Sequence, residues 1–122
     1  MFEKVAFTMY PATDIPRARK FYEETLGLNV GKHGDHGPMS WVEYDLPRGG
    51  CFAITNATED APSAAAGGTI AFEVADLDAL IADLKSKGVN FKSEIIHGPA
   101  CRMAVCLDTE GNSILLHQLN EK

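Results

Sequence analysis

Apolar and polar residues alternate in several short runs along the chain, and two of these runs lead into a longer run with helical spacing. Residues 5–10 and 69–74 alternate in this way, which predicts two strands that each have one buried face. Each strand is followed by an aspartate, Asp14 or Asp76, at a position typical of a helix N-cap. The first predicted helix carries Ala18, Phe21, Tyr22 and Leu26 and ends at Gly27; the second carries Leu77, Leu80, Ile81 and Leu84 and ends at Gly88. The same strand–helix pair therefore occurs twice.

Each predicted helix is followed by three further segments with the pattern of strands. In the first half these are residues 28–32, 40–46 and 51–55, with a loop predicted at 33–38 and a hairpin turn at 47–50. In the second half they are residues 90–95, 102–107 and 113–119, with a turn at 108–112. The repeat predicts one domain, 1–122, in which units 1–56 and 69–122 are joined by a flexible linker at 57–68, rich in alanine, glycine and serine.

Composition excludes several classes of protein. The chain has 122 residues and a net charge of −6, and its basic residues are too dispersed to neutralise a row of phosphates, so nucleic acid is not expected as a partner. No apolar stretch approaches the roughly twenty residues of a membrane span, and the first residues lack the pattern of a secretory signal. The three cysteines show no CxxC pair and are interpreted as reduced, mostly buried thiols. We expect a cytoplasmic protein that does not bind membranes.

Three motifs in the repeated pattern resemble those of a known superfamily. They are the helix that begins at Asp14 and continues through Phe21-Tyr22 to Leu26-Gly27-Leu28, the strand that ends at Asp76, and the turn at 108–112 before the last strand. This arrangement is similar to the vicinal oxygen chelate superfamily, which includes glyoxalase I, extradiol dioxygenases and the bleomycin and fosfomycin resistance proteins. The resemblance implies an α+β fold in which two tandem βαβββ units form curved mixed sheets around a cup-shaped cleft.

The resemblance also implies positions for the family's divalent metal, which is held by histidines and carboxylates on the inward strand faces. Those positions fall on Phe7, Thr69, Leu115 and either Ala53 or Thr55. None of these side chains offers the imidazole or carboxylate that such a cation requires. We therefore predict that the family metal is absent and that the chain carries no other cofactor.

Strand alternation places a set of side chains on the faces where the resemblance puts the cleft. The predicted ligand-binding residues are Phe7, Met9, Trp41, Glu43, Thr69, Glu73, Leu115 and His117. His117 is the best candidate for a general base or for an anchor of an acidic group, although a histidine hydrogen-bonded near a sheet edge or at a subunit contact has the same pattern. Trp41 is suited to stacking on a planar ligand or to filling a gap, and the two glutamates either balance a cationic ligand or lie solvated at the rim.

Two functional classes follow. The first is a binding protein that takes a small organic molecule into the cleft without its metal and without chemistry. The alternative is a lyase or dioxygenase-type enzyme that uses a displaced metal set, or metal-free acid–base catalysis through His117. His33 and His36, in the predicted loop, are a weaker candidate for a zinc site because no second ligand pair accompanies them. Strand edges and apolar strips left by two such sheets further predict a homodimer.

Overall fold

The protein consists of two compact units, Met1–Pro62 and Ser63–Lys122, each of which contains one copy of the predicted repeat. The computed structural model describes residues 1, 3–58 and 60–120. Glu59 of the predicted linker lies outside the described residues, and the division into 1–56, 57–68 and 69–122 stays a prediction.

The first unit has one strand, one helical segment and three more strands. They are β1 (Thr8–Pro11), α1 (Ile15–Lys20) continuing into a π-helical turn (Phe21–Thr25), β2 (Val30–His36), β3 (Met39–Asp45) and β4 (Cys51–Thr55). The sheet order is β1-β4-β3-β2. Because β1 pairs with β4 in parallel while the other pairs are antiparallel, the sheet is mixed.

The helical segment of the first unit begins and ends where its sequence predicts. The Asp14 carboxylate accepts a hydrogen bond from the Arg17 backbone N–H at 3.0 Å, which satisfies a donor that the helix leaves unpaired. After the π-helical turn the chain passes through Gly27 at a φ of 75°, a conformation in which a residue without Cβ is not strained. The apolar stripe of this segment is buried, with Ala18 and Tyr22 at 0% exposure.

The buried stripe packs on an aromatic face of the first sheet. The Tyr22 ring centroid lies 4.9 Å from that of Phe52 and 5.9 Å from that of Tyr44. Val42 and Tyr44 of β3 are buried on this side, as strand alternation predicts. Their neighbours Trp41 and Glu43 consequently lie on the opposite face of the sheet.

The second unit repeats the first. Its elements are β5 (Ile70–Glu73), α2 (Leu77–Ser86), β6 (Ile96–His97), β7 (Cys101–Leu107) and β8 (Ser113–Leu119). The sheet order is β5-β8-β7-β6, with β5 and β8 parallel and the other pairs antiparallel. The predicted α+β fold with two tandem βαβββ units is confirmed.

The predicted apolar stripe of α2 is only partly in the core. Asp76 caps the helix by accepting a hydrogen bond from the Ala79 backbone N–H at 3.1 Å, and Leu77 and Leu84 are fully buried. Leu80, which was expected in the core, is half-buried. The helix packs against β8, and its buried residues Leu77 and Leu84 are seven positions apart, which places them on one side of the helix.

The prediction of a loop at residues 33–38 is wrong. Residues up to His36 belong to β2, and only Gly37 and Pro38 form the turn into β3. This strand lies at the sheet edge and all its residues after Val30 are exposed, so nothing requires its side chains to alternate between apolar and polar. The pattern that normally identifies a strand is therefore missing from its sequence.

The strand predicted at residues 90–95 is also displaced, since β6 contains only Ile96 and His97. Residues 90–95 still run beside β7: the Lys92 backbone N–H donates to the Val105 carbonyl at 2.8 Å. In the next step, however, the Val105 N–H bonds to the Ser93 hydroxyl at 3.0 Å instead of to a carbonyl. This side-chain acceptor interrupts the regular ladder.

No helix formed by the described residues has the length and apolar character of a membrane span.

Candidate functional site

Trp41 and Glu43 form the centre of a polar and aromatic patch on the first sheet. The Trp41 indole Nε1–H donates to Glu43 Oε2 at 2.7 Å. The Phe7 ring meets the Trp41 ring edge to face, with centroids 5.1 Å apart and an interplanar angle of 84°. The indole is therefore held on its polar edge by the carboxylate and on its ring by Phe7, which fixes its orientation.

Met9 extends this patch across the sheet. In the strand register Met9 of β1 pairs with Ala53 of β4, and Ala53 pairs with Glu43 of β3, so the three side chains form one row on one face. Met9 is 39% exposed. Ala53, between the Met9 thioether and the Glu43 carboxylate, is fully buried.

An open cleft of about 470 Å³ lies beside the patch, within the volume range of small-molecule sites. Strands β2 and β3 provide nearly all of its wall. The lining residues are Lys32, His33, Gly34, Asp35, His36, Met39, Ser40, Trp41, Glu43 and Ala57. On the face of the sheet that carries Trp41, an aromatic ring, the Met39 thioether and the Glu43 carboxylate adjoin this space, while His33, Asp35 and Ser40 project from the opposite face.

Two carboxylates of β2 and β3, which lie on opposite faces of the sheet, are anchored by neighbouring groups. Asp35 Oδ1 accepts a hydrogen bond from the Ser40 hydroxyl at 2.6 Å, and Glu43 Oε1 lies 3.8 Å from Cys51 Sγ, which donates to it. Partial burial, together with the Glu43 and Asp45 carboxylates, raises the pKa of the Cys51 thiol. Cys51 is consequently a protonated thiol at neutral pH and not a nucleophile.

The second sheet carries a separate pair of ionisable groups. His117 Nδ1 lies 2.6 Å from Glu73 Oε1, and Glu73 Oε2 accepts a hydrogen bond from the Leu119 backbone N–H at 2.8 Å. The two residues are cross-strand partners in the parallel pair of β5 and β8. Leu115 lies on the same face, two residues before His117, and is half-buried.

The predicted site residues therefore fall into two groups. The first sheet brings Phe7, Met9, Trp41 and Glu43 together, and the second brings Glu73, Leu115 and His117 together. Thr69 joins neither group, because it is exposed and precedes β5 instead of lying in it. That these residues bind a ligand stays a prediction.

The positions at which the resemblance predicts the family's divalent metal carry no imidazole or carboxylate. Phe7 is packed on Trp41, Leu115 has no donor atom, and the hydroxyl of Thr69 is a poor ligand for a transition metal. Among residues 1, 3–58 and 60–120, no group of three or more histidine, cysteine, aspartate or glutamate side chains is placed to hold a metal ion. His117, two residues beyond the last position, bonds to Glu73 of the neighbouring strand.

The strand conformation of β2 also bears on the weaker zinc candidate. His33 pairs with Val42 and His36 pairs with Met39, so the two histidines project from opposite faces of the strand. Two side chains three residues apart on an extended strand cannot ligate one ion together, although they can do so in a loop or helix.

Sequence reasoning missed the β2 wall of the cleft. Lys32, His33 and Asp35 were assigned to the end of a strand and to a loop, yet they line the cleft beside Trp41. The available signal was the Gly37-Pro38 pair immediately before the clear alternation of β3, because such a short turn favours an antiparallel partner of similar length.

The repeat, the sheet topology and the match to known families agree on one class of protein. Residues 4–116 match the family described as the Glyoxalase/Bleomycin resistance protein/Dioxygenase superfamily. The chain belongs to this superfamily. No curated protein sequence matches it significantly.

Several solved structures share the fold over almost the whole chain. TnmS3, an antibiotic binding protein from Streptomyces sp. CB03234, is 23% identical with a TM-score of 0.82, over 98% of both chains. A glyoxalase/bleomycin resistance protein from the same organism is 26% identical with a TM-score of 0.76, over 92% of this chain and 97% of the other. Glyoxalase I from Zea mays is 22% identical with a TM-score of 0.78, over 95% of this chain but only 44% of its own.

Proposed function

We propose that this protein is a binding protein of the superfamily, which takes a small organic molecule against the Trp41 patch without the family metal. The observation that carries the proposal is the cleft of about 470 Å³ beside an indole ring whose orientation is fixed by Glu43 and Phe7. An aromatic side chain held in place loses little conformational entropy when a ligand packs on it.

The lining of the cleft indicates the chemistry of the ligand. Trp41 and Met39 offer apolar surface for a planar or aliphatic body, while Glu43, on the same face as Trp41, offers a carboxylate for hydrogen-bond donors or a positive charge. Lys32 lies in the same wall and suits a ligand that also carries an acceptor. An organic molecule of antibiotic size that carries both apolar and polar groups matches these lining residues better than a simple anion or a metal ion.

One of the structural neighbours supports binding. TnmS3 is described as an antibiotic binding protein. The predicted metal positions of this chain lack imidazole and carboxylate groups. Because the metal-dependent chemistry of the superfamily needs such ligands, this lack also favours binding over chemistry.

Trp41 makes the proposal directly testable, because it is the single tryptophan of the chain. A panel of bleomycin and aromatic natural-product antibiotics should include members that quench its fluorescence saturably and raise the melting temperature. Calorimetry should then show binding weakened by about tenfold or more in Trp41→Leu, since the ring contributes both area and stacking.

The matched control for this experiment is Phe91→Leu, an aromatic substitution in the second unit, where the Phe91 ring lies under Lys85 at 5.6 Å. This variant should bind the same ligand as tightly as the wild type. If no member of the panel binds, or if Trp41→Leu and Phe91→Leu bind equally well, the cleft is not the binding site.

The alternative function, a lyase or dioxygenase-type enzyme of the same superfamily, is favoured by one observation, the Glu73–His117 pair at 2.6 Å. A histidine oriented by a carboxylate is a common general base. Elemental analysis of protein purified without chelator distinguishes the displaced-metal form of this alternative. The binding proposal expects no stoichiometric nickel, zinc, manganese or iron, whereas about one metal per chain that is lost in His117→Ala would favour the enzyme.

The proposal includes a cytoplasmic homodimer. All three cysteines are free, and reduced thiols suit a reducing compartment. Large apolar side chains are exposed in both units, among them Val5 at 80% and Leu119 at 59%, and a second chain is the simplest partner that would cover them.

A further inference from the structure

We infer that the His117–Glu73 pair is a hydrogen-bond acceptor site for the hydroxyl group of an aromatic ligand of the phenol class. The site lies on the second sheet, and the argument for it goes beyond the proposed function, because it uses neither the cleft of the first unit nor Trp41.

The backbone holds both partners of the pair in register. Glu73 of β5 lies directly opposite His117 of β8, and the Val74 backbone N–H donates to the His117 carbonyl at 2.8 Å. The Glu73 carboxylate is fixed at both oxygens, since Oε1 meets His117 Nδ1 at 2.6 Å and Oε2 accepts from the Leu119 N–H at 2.8 Å. The orientation of the imidazole is thus set by the register of β5 and β8 and by the backbone hydrogen bond that holds Glu73.

This arrangement determines which ring nitrogen of a neutral His117 carries the proton. An ionised carboxylate only accepts hydrogen bonds, so the short contact to Glu73 requires a proton on Nδ1. Nε2 is then left with a lone pair and no proton. Glu73 acts here as a positioning residue, which keeps Nε2 an acceptor.

The neighbours of His117 select the kind of donor that Nε2 receives. Met103 is its cross-strand partner on β7, and Leu115 and Leu119 lie two residues away on the same face of β8. The imidazole is 26% exposed, so a ligand can reach it. These apolar side chains suit an uncharged ring, while a carboxylate ligand has no proton to donate and meets the charge of Glu73. A neutral phenol has an uncharged ring, a hydroxyl proton to donate to Nε2 and no negative charge that would meet Glu73.

The tautomer is tested in the free protein by long-range ¹H–¹⁵N correlation spectra, at a pH where the imidazoles are neutral. The chain has four histidines, and the His117 signals are assigned from their loss in His117→Leu. We expect a protonated Nδ1 and a bare Nε2 in the wild type, and a mixture of tautomers in Glu73→Ala. A wild-type His117 that is protonated on Nε2 would overturn the inference.

Ligand preference is tested with 4-methylphenol and its methyl ether 4-methylanisole, which differ in the hydroxyl proton, at a pH where the imidazoles are neutral and the phenol is not ionised. The wild type should bind the phenol about tenfold more tightly than the ether, because only the phenol can donate to Nε2. The preference should disappear in His117→Leu and fall in Glu73→Ala. It should be unchanged in the control variants His97→Leu and Glu24→Ala, which remove an exposed imidazole and an exposed carboxylate elsewhere.

The outcomes separate this inference from the proposed function. Absence of saturable phenol binding, equal binding of phenol and ether, or a preference that survives in His117→Leu would each overturn the inference. A preference that persists in Trp41→Leu would support it and would also show that the second-sheet site acts without the first-unit cleft. Should His117→Leu not fold, the Glu73→Ala variant and the tautomer measurement decide the question.

Discussion

Glu23 shows, at the scale of single residues, how a charged group is accommodated beside an aromatic core. Its Oε2 accepts hydrogen bonds from Arg19 Nε at 2.7 Å and from the hydroxyl of the fully buried Tyr44 at 2.9 Å. Burial opposes ionisation of the carboxyl, but the hydrogen bonds from Arg19 and Tyr44 outweigh it and hold the pKa of Glu23 below its ordinary value. The ionised carboxylate therefore stabilises the fold.

This network predicts a pH-dependent stability difference between the wild type and Glu23→Gln. Because the pKa of Glu23 is lower in the folded than in the unfolded state, its contribution is fully present above the unfolded value of about 4.3 and is lost as the pH falls through the folded pKa. Urea denaturation at pH 7 should show the variant less stable by about 1–3 kcal/mol, and the difference should shrink near pH 3. The exposed Glu24→Gln should show little difference at either pH. A deficit of Glu23→Gln that stays constant with pH would contradict this account.

At the scale of elements, the two helices depend on caps that are visible in the sequence. Asp76 accepts a hydrogen bond from the Ala79 backbone N–H, just as Asp14 does from Arg17. Past α2, Gly88 has a φ of 83°, which lets the chain turn back towards the sheet. Local chemistry thus decides where each helix begins and ends.

Asp76→Ala should lower the free energy of unfolding by about 1 kcal/mol, since a helix N–H then loses its acceptor. Asp83→Ala is the matched control on the same helix, because Asp83 forms an exposed ion pair with Lys87 at 3.0 Å that should contribute about 0.5 kcal/mol or less. Chemical denaturation of both variants measures the difference. Equal losses for the two aspartates would mean that the cap is not what stabilises α2.

At the scale of the whole molecule, the exposed apolar side chains predict association of two chains. Besides Val5 and Leu119, Phe7, Met39 and Ile96 are each at least 40% exposed. Multi-angle light scattering after gel filtration should give the mass of a dimer, twice 13.2 kDa, at micromolar concentration. A monomer that persists throughout a dilution series from high concentration would contradict the homodimer.

Much of the fold was predictable because its signals are local. Helical spacing with caps identified both helices, and alternation identified β3, β4, β7 and β8 to within a residue or so. The parity of Trp41 and Glu43 against Val42 and Tyr44 followed from the same alternation. Most of strand β2 was not predicted, because an edge strand with exposed side chains does not need to alternate apolar and polar residues.

The candidate site was predictable as a set of residue types on strand faces but not as a set of contacts. Glu73 and His117 were each singled out, yet their hydrogen bond joins residues 44 positions apart. The indole–carboxylate bond within β3 was open to prediction from alternation, whereas the Phe7–Trp41 contact and the β2 wall were not. These contacts depend on strand register and on which strands are neighbours.

The sequence by itself determined the repeated βαβββ order, the helix limits and the face on which most strand residues lie. These follow from hydrogen bonds and side-chain spacing within a few residues. The tertiary structure decided that β2 is a strand, that His33 and His36 face opposite ways, and that Glu73 orients His117. The physical reason is that pairing between distant strands brings together side chains whose separation along the chain carries no trace of their contact.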